Sequence, residues 1–465
     1  MKERIVRLQI QKLSAQGAGI AMFERPQAPD AQAEVFCGVP GDDLLVSIGA
    51  KRRSVFRGTV VECMTPSPLR VTPRCLHVGS CGGCTLQQMD YGAQLKEKEE
   101  RLLSLFSPLV TRDAPLIDPI IPSAPFGYRN KMEFSFSQNR AGEKFLGLIL
   151  QSGRGHVFNL KECHLTSPYF SSVVGAVRGW WEESGLLAYH MTKDTGSLRT
   201  LTVREGTKGS KLVMLTLSAN PDYALNRKQL DSFIQAVKSV TPEGVDVALF
   251  LRLQQIAKGS PTQFYEMHLG GPDHLMEDLE VAGKHLRFKI SPTSFFQPNS
   301  RQAEVLYRRA LEMTDLHKNL TLFDLYCGTG TLGQIFAPFV KKVVGVELNP
   351  HAVFDADANK NLNGINNVEL KIGDVGKIVE EMRQDPDFTP PDIVLVDPPR
   401  TGLDGRAIGQ IQALSPKKII YISCNPVTQL ANIQELNEYK LLRLQPVDQF
   451  PHTVHLETVA LLERV

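Results

Sequence analysis

No apolar run in the 465 residues approaches the roughly 18 that a membrane-spanning helix needs, and Met1-Lys2-Glu3-Arg4-Ile5-Val6 lacks the apolar segment of a secretory leader. No membrane partner is expected, and the chain reads as a soluble, cytoplasmic monomer. Net charge is scarce as well: 52 Lys and Arg against 50 Asp and Glu leave +2, so any nucleic-acid surface has to be a local patch. No internal repeat is present. What is there is ordinary globular composition, 42% apolar and 22% charged, over a length that suits about three domains at roughly 150 residues each. Eight cysteines stand at 37, 63, 75, 81, 84, 163, 327 and 424. Three of them fall within ten residues, which in a chain without a leader points to metal binding more than to disulfides.

Residues 1–64 alternate short apolar runs with Gly and Pro turns, as in Leu44-Leu45-Val46-Ser47-Ile48, and this spacing predicts a small β-barrel of the oligonucleotide-binding type. Lys51-Arg52-Arg53, with Arg57 beyond, is either a phosphate grip or a solvated basic turn. Thr65-Pro66-Ser67-Pro68 marks a linker, and a helix over residues 94–106 follows. That helix places Leu95, Leu102, Leu103 and Phe106 on one face, with Glu97 and Arg101 paired at i,i+4. Residues 65–290 form a central, mainly β domain. Within it Arg129, Lys131, Phe134 and Phe136 combine cations and rings as single-strand binders do, or form a core strand with basic ends.

Residues 291–465 change character. Strand-like runs begin near Thr321, Val343, Val368, Asp392 and Lys418, each separated by room for one helix. Such alternation predicts an α/β doubly wound, Rossmann-like parallel sheet with its ligand crevice at the carboxyl ends of the strands. Two further strands are expected near Leu441-Leu442-Arg443-Leu444 and over residues 454–462.

Asp324-Leu325-Tyr326-Cys327-Gly328-Thr329-Gly330-Thr331-Leu332-Gly333 carries the chain from a strand through glycines into a helix. The pattern G-x-G-x-x-G makes a dinucleotide oxidoreductase one reading. Acids at three successive strand ends favour another: Asp324 suits a cationic amino-acid moiety, Glu347 two ribose hydroxyls and Asp374 an adenine amino group, as in S-adenosylmethionine.

Asp397-Pro398-Pro399-Arg400 ends the fourth strand, its prolines stiffening the loop that projects Asp397. Ser423-Cys424-Asn425-Pro426 ends the fifth. With Asn425 as cap and Pro426 opening a helix, Cys424 sits where the helix dipole favours thiolate. A nucleophilic cysteine beside a methyl donor implies addition to uracil C6, methylation at C5 and removal of the C5 proton by a base. Read as a strand, Phe450-Pro451-His452-Thr453-Val454-His455-Leu456-Glu457 puts Thr453, His455 and Glu457 on one face, Glu457 as the base and His455 as its rival or orienter. The target base has to be flipped out of its stack for the thiolate to reach it.

These motifs, together with Phe296-Gln297-Pro298-Asn299, resemble those of the RNA 5-methyluridine methyltransferases, in particular the bacterial iron-sulfur members that act on 23S ribosomal RNA. The resemblance covers the whole chain. It implies a TRAM-like barrel at 1–64, a cluster-bearing, RNA-binding domain at 65–290 and a methyltransferase domain at 291–465. It also implies Cys424 as nucleophile, Glu457 as base, and Gln297, Tyr326, Thr331, Glu347, Asp374 and Asp397 as donor contacts. Thr331 stands where some relatives carry asparagine, and a transfer-RNA target is the alternative substrate.

Cys75, Cys81 and Cys84, with Cys163 much later, supply four thiolates, enough for a [4Fe-4S] cluster or a structural zinc. Gly82 and Gly83 let backbone amides approach cluster sulfurs, and His164 offers a Cys3His zinc set. Spacing leaves the two open; the resemblance implies [4Fe-4S], in a structural or RNA-shaping role. Cys37, Cys63 and Cys327 are read as core packing.

Overall fold

Near-continuous apolar runs in the last third of the chain form the sheet on which the site is built. The computed structural model describes residues 4–25, 28–52, 54–110, 115–151, 155–256 and 259–465. In chain order the elements are β1 (Thr321–Leu325), α1 (Thr331–Phe336), β2 (Lys342–Glu347), α2 (Pro350–Leu362), β3 (Val368–Ile372) and α3 (Val375–Arg383). They continue as β4 (Ile393–Val396), α4 (Gly405–Leu414), β5 (Lys418–Ser423), α5 (Pro426–Glu435), β6 (Tyr439–Val447) and β7 (Glu457–Arg464). The strands lie in the order β3-β2-β1-β4-β5-β7-β6, with Leu116–Ile117 added beyond β6. β1 to β5 are parallel, and β7 runs antiparallel to both β5 and β6. Successive residues feed opposite layers: Leu322 and Leu395 join the core on one face, Phe323, Val394 and Val396 the core on the other. Both faces are covered, as a parallel sheet requires, and strand order reverses between β1 and β4, where the crevice opens.

β7 begins at Glu457; residues 450–456, expected to be strand, are turn and loop. The alternation that put Thr453, His455 and Glu457 on one face therefore does not exist, because internal turns pull Phe450 to Val454 out of extended conformation.

The hairpin of Leu275–Val281 and Lys284–Ile290 and the helix Ser300–Glu312 pack on one face of this sheet. The helix Tyr91–Phe106 packs on the other. Its buried residues are Gln94, Lys98, Leu102 and Phe106, one helical turn apart, and Glu97 bonds Arg101 at 2.6 Å. Leu103, expected on the apolar face, is exposed, since a stripe at i,i+4 leaves the residue beside Leu102 turned outward.

A second, six-stranded sheet spans Lys131 to Gly270, with the helices Pro168–Ser184 and Arg227–Lys238 packed on it. Phe134 and Phe136 are buried in its core, which decides between the two readings of this segment for the core strand: it is an inner one, paired on both edges. At the amino terminus six strands curl into one sheet around Leu8, Ala21, Phe23, Ala33, Val35, Leu44 and Val46. Its edges approach, Arg4 Nη2 donating to the Glu24 carbonyl at 3.0 Å. Lys51 and Arg57 lie over the rings of Phe56 and Phe36, and Arg53 lies outside the described residues. Cys327 is buried, but Cys63 is exposed, near the end of a strand whose outer face meets solvent; its assignment to a core is corrected.

Candidate active site

The glycine turn after β1 is shaped by backbone demands. Tyr326, Gly328 and Gly330 all have positive φ (66°, 54° and 72°), and a Cβ on Gly330 would stand 2.9 Å from that of Ala356, so only glycine fits. Tyr326 N and Cys327 N both donate to the Val346 carbonyl, at 3.0 and 3.1 Å. Glu347 accepts from Gly328 N at 3.1 Å and Asn349 N at 2.8 Å, one backbone bond per carboxylate oxygen, leaving lone pairs for a ligand. Asp374 caps α3 through Lys377 N at 3.0 Å and also borders the cavity.

That cavity, of 660 Å³, is lined by Gln297, Tyr307, Tyr326, Thr331, Glu347, Asp374, Asp397, Arg400, Cys424 and Glu457, among others. The six donor contacts that the resemblance implies, and the expected nucleophile and base, thus share one space. Thr331 Oγ1 lies 3.0 Å from Thr329 Oγ1. Asp324 is not part of the lining, which corrects the expectation that it meets a donor's cationic moiety. It is 1% exposed and turned beneath the loop, where Oδ2 accepts from Gly333 N at 2.8 Å and Oδ1 has no partner among the described residues. Burial pushes its carboxyl up to about 8.

Strand register explains why Cys424 and Glu457 meet. Ser423 and Thr458 are antiparallel partners, so the residue that follows β5 and the one that opens β7 lie at the same end of the sheet. Thr458 Oγ1 donates to the Ser423 carbonyl at 3.3 Å, fastening the pair. Asn425 caps α5 with Pro426 at its first turn, as expected, and Asn425 Nδ2 donates to the Arg400 carbonyl at 3.0 Å, joining the two loops.

The thiol of Cys424 is not held low by the helix end. Burial pushes it up, Glu457 adds to that, and the Arg400 guanidinium opposes both. Desolvation of the half-buried sulfur is the largest of these effects, and the guanidinium is the group beside it that favours thiolate. Burial and the neighbouring Asp397 raise Glu457 to about 8, and burial raises Asp397 to about 7. His455 is pushed down by burial and by Arg400, whose Nη2 lies 3.2 Å from its Nδ1.

A second cavity, of 820 Å³, borders Cys424 from the other side. Its walls include Gln16, Gly82, Gly83, Thr85, Lys98, Arg101, Arg129, Arg400, Asn425, Thr453 and His455. Glu457 borders only the first cavity and His455 only the second, while Cys424 borders both. A third cavity, of 690 Å³, is lined by all four of Cys75, Cys81, Cys84 and Cys163, and by His164 and Arg129. His77 N and Gly83 N donate to the sulfurs of Cys75 and Cys81 at 3.4 and 3.3 Å. His164 Nε2 is taken by Glu162 at 3.2 Å. Among the described residues no three His, Cys, Asp or Glu side chains are disposed to hold a single metal ion.

Two residues of the first cavity were not singled out from the sequence. Tyr307 is buried, and desolvation, with Asp397, Glu457 and Asp324 adding to it, pushes its hydroxyl well up. Nothing in its helix distinguishes it from a core residue. Arg400 was legible only as the residue after two prolines.

The family model described as tRNA (Uracil-5-)-methyltransferase matches residues 250–465. An uncharacterized RNA methyltransferase of Protochlamydia amoebophila is 48% identical over 440 residues, covering 92% of this chain and 99% of that one. Another, of Caldanaerobacter subterraneus subsp. tengcongensis, is 33% identical over 465 residues, covering 100% and 99%. Among solved structures, the Pyrococcus abyssi tRNA (uracil-54, C5)-methyltransferase in complex with S-adenosyl-L-homocysteine superposes with a TM-score of 0.73 at 25% identity, covering 98% of this chain and 99% of that one. The choice between a dinucleotide and a methyl donor at the glycine turn falls to the donor: the chain belongs to the RNA (uracil-5-)-methyltransferase family and is an S-adenosylmethionine-dependent RNA methyltransferase.

Proposed function

We propose that the chain forms 5-methyluridine in 23S ribosomal RNA through a covalent bond between Cys424 and uracil C6, with Glu457 accepting the C5 proton. The observation that carries this reading is that Cys424 borders two cavities, one rich in acids and one in cations, with Arg400 at the border of both.

The first cavity suits S-adenosylmethionine by its chemistry. Burial raises the carboxyls of Asp397 and Glu457, and Asp397 raises Glu457 further against the pull of Arg400; a sulfonium and an ammonium would favour both as carboxylates. Gln297, Tyr326, Thr331, Glu347, Asp374 and Asp397 would hold the donor, which supplies an electrophilic methyl group. The remaining work falls to the protein. Arg400 steadies Cys424 as thiolate. Cys424 adds to C6, and the electron pair moved to C5 takes the methyl group. Glu457, whose raised affinity for a proton makes it a strong carboxylate base, then removes the C5 proton, and the C5–C6 double bond reforms as Cys424 departs. His455, facing Arg400, would become a second cation on protonation, which disfavours it as the base.

The second cavity would take the flipped uridine, with Arg129 and Arg400 toward the backbone. Residues 1–64 as a TRAM-like barrel and 65–290 would bind the RNA presented to the methyltransferase domain at 291–465, in a cytoplasmic monomer. The four cysteines around one cavity, with backbone N–H groups aimed at two sulfurs, suit a [4Fe-4S] cluster better than one zinc ion, whose ligands must close to about 2.3 Å. Four thiolates would saturate the cluster and leave it a structural role. This quartet is also what favours 23S ribosomal RNA over transfer RNA, by resemblance to the iron-sulfur members.

The test is a single-turnover assay with methyl-labelled donor on 23S ribosomal RNA and on transfer RNA. Label is expected at uracil C5 of the former. Cys424→Ala should abolish turnover by at least ~10⁴-fold and form no adduct, whereas Glu457→Gln should form the adduct and retain it. Label confined to transfer RNA overturns the substrate, adduct lost in both variants overturns the base, and zinc in place of iron and acid-labile sulfide overturns the cluster.

A further inference from the structure

The loop from β6 to β7 delivers Glu457 to the site, and most of its residues are bonded to segments far away in sequence. Asp448 accepts from Lys98 Nζ at 2.7 Å and Tyr91 Oη at 2.8 Å, and the Gln449 carbonyl accepts from Asn299 Nδ2 at 3.1 Å. Pro451 is held through its carbonyl by Tyr128 Oη at 3.2 Å.

At the centre stands His452, 4% exposed and at φ +65°. A non-glycine residue persists in that region only where its surroundings over-determine it. They do so here. His452 N donates to Gln94 Oε1 at 3.0 Å, and its ring Nδ1 lies 3.2 Å from Gln94 Nε2. Its carbonyl accepts from both Thr85 N and Leu86 N, at 2.9 and 3.0 Å. Gln94 Nε2 also reaches the Leu86 and Met89 carbonyls, at 3.0 and 2.8 Å. Beyond His452 the loop braces itself: Thr453 Oγ1 donates to the Phe450 carbonyl at 2.8 Å and accepts from His455 N at 3.2 Å. His452 lines none of the three cavities described above.

We propose that His452 is a positioning residue, which with Gln94 fixes where the Glu457 carboxylate stands relative to Cys424 and ties that position to the cysteine segment through Thr85, the residue after Cys84. The inference rests on Glu457 being the C5 proton acceptor. A displacement of about 1 Å at a reacting group costs about a hundredfold in rate, and the step that suffers is the one Glu457 performs.

His452→Asn removes the ring but keeps a residue tolerant of the left-handed region; Gln94→Leu removes the partner and leaves His452 in place. Single-turnover kinetics on the full-length protein should show adduct formation and donor binding within a few-fold of the parent, and adduct resolution ~10–100-fold slower. Hydrogen exchange of the Thr85 and Leu86 amides should quicken at least ~10-fold, a readout independent of which residue is the base. Unchanged exchange overturns the clamp. Faster exchange with adduct resolved at the parent rate overturns the positioning role, as does an equal loss of formation, donor binding and melting temperature. A Glu457→Gln enzyme that resolves its adduct normally, beside variants that do not, sustains the clamp and overturns the base assignment instead.

Discussion

The two cavities that meet at Cys424 are built in opposite ways. The donor side draws one residue from the carboxyl end of each parallel strand, Tyr326, Glu347, Asp374, Asp397 and Cys424, all within a hundred residues. The far side is assembled from Gln16, Gly82, Gly83, Thr85, Arg101, Arg129 and His455, segments that share no sheet. Charge divides them too. Acids border the first cavity, with Arg400 as the cation it shares with the second, whose border is otherwise cationic and where Lys98 and Arg101 are already paired with Asp448 and Glu97. Arg129 and Arg400 have no carboxylate partner among the described residues. A parallel sheet brings its strand ends together by rule; a surface made of docked segments depends on every junction between them.

The comparison breaks most visibly if a donor-side change alters RNA binding. Glu347→Ala removes a carboxylate whose oxygens anchor the glycine turn at Gly328 N and Asn349 N. The expected outcome is ~10–100-fold weaker donor binding, the worth of one or two charged hydrogen bonds, with RNA affinity unchanged. Calorimetry with S-adenosylhomocysteine and filter binding with RNA separate the two. Arg129→Ala is the mirror experiment and a smaller effect. RNA affinity should fall about threefold to tenfold and the salt slope by about 1, with donor binding intact. Equal losses for both ligands in either variant would mean that the cavities are one site.

The same division decides what was legible beforehand. Strand starts at Thr321, Val368 and Lys418 coincide with the apolar runs that announced them, because strands buried on both faces tolerate little else. The cap at Asn425 and the acids Glu347, Asp374 and Asp397 were legible for the same local reason. Lys98 was not: a lysine on a helix face reads as solvated, and only a partner 350 residues away, Asp448, makes its burial tolerable. Phe134 and Phe136 left two readings open because a strand rich in rings and cations looks alike whether it is inner or exposed. At Cys424 the helix end was visible in sequence, whereas the desolvation that raises its thiol was not.

The smallest effect compares how the two walls hold buried charge. Lys98 is buried against Asp448, whereas Asp324, beneath the donor cavity, has among the described residues no cation paired with it and one oxygen without a partner. Its folded-state affinity for a proton is raised from 3.8 to about 8, so the stability it contributes is complete below pH ~4, where unfolded and folded chains are both protonated. It drains away as pH climbs toward 8, where the folded chain has to ionise a desolvated carboxyl. Asp324→Asn keeps an oxygen for Gly333 N and deletes the ionisation. The variant should therefore melt together with the parent near pH 4 and above it at pH 8, by roughly 1–3 kcal/mol or several degrees. Thermal melts across that range check the sign. A variant less stable than the parent at pH 8 would mean that Asp324 already has a counter-charge when folded, and the contrast between the two walls would vanish.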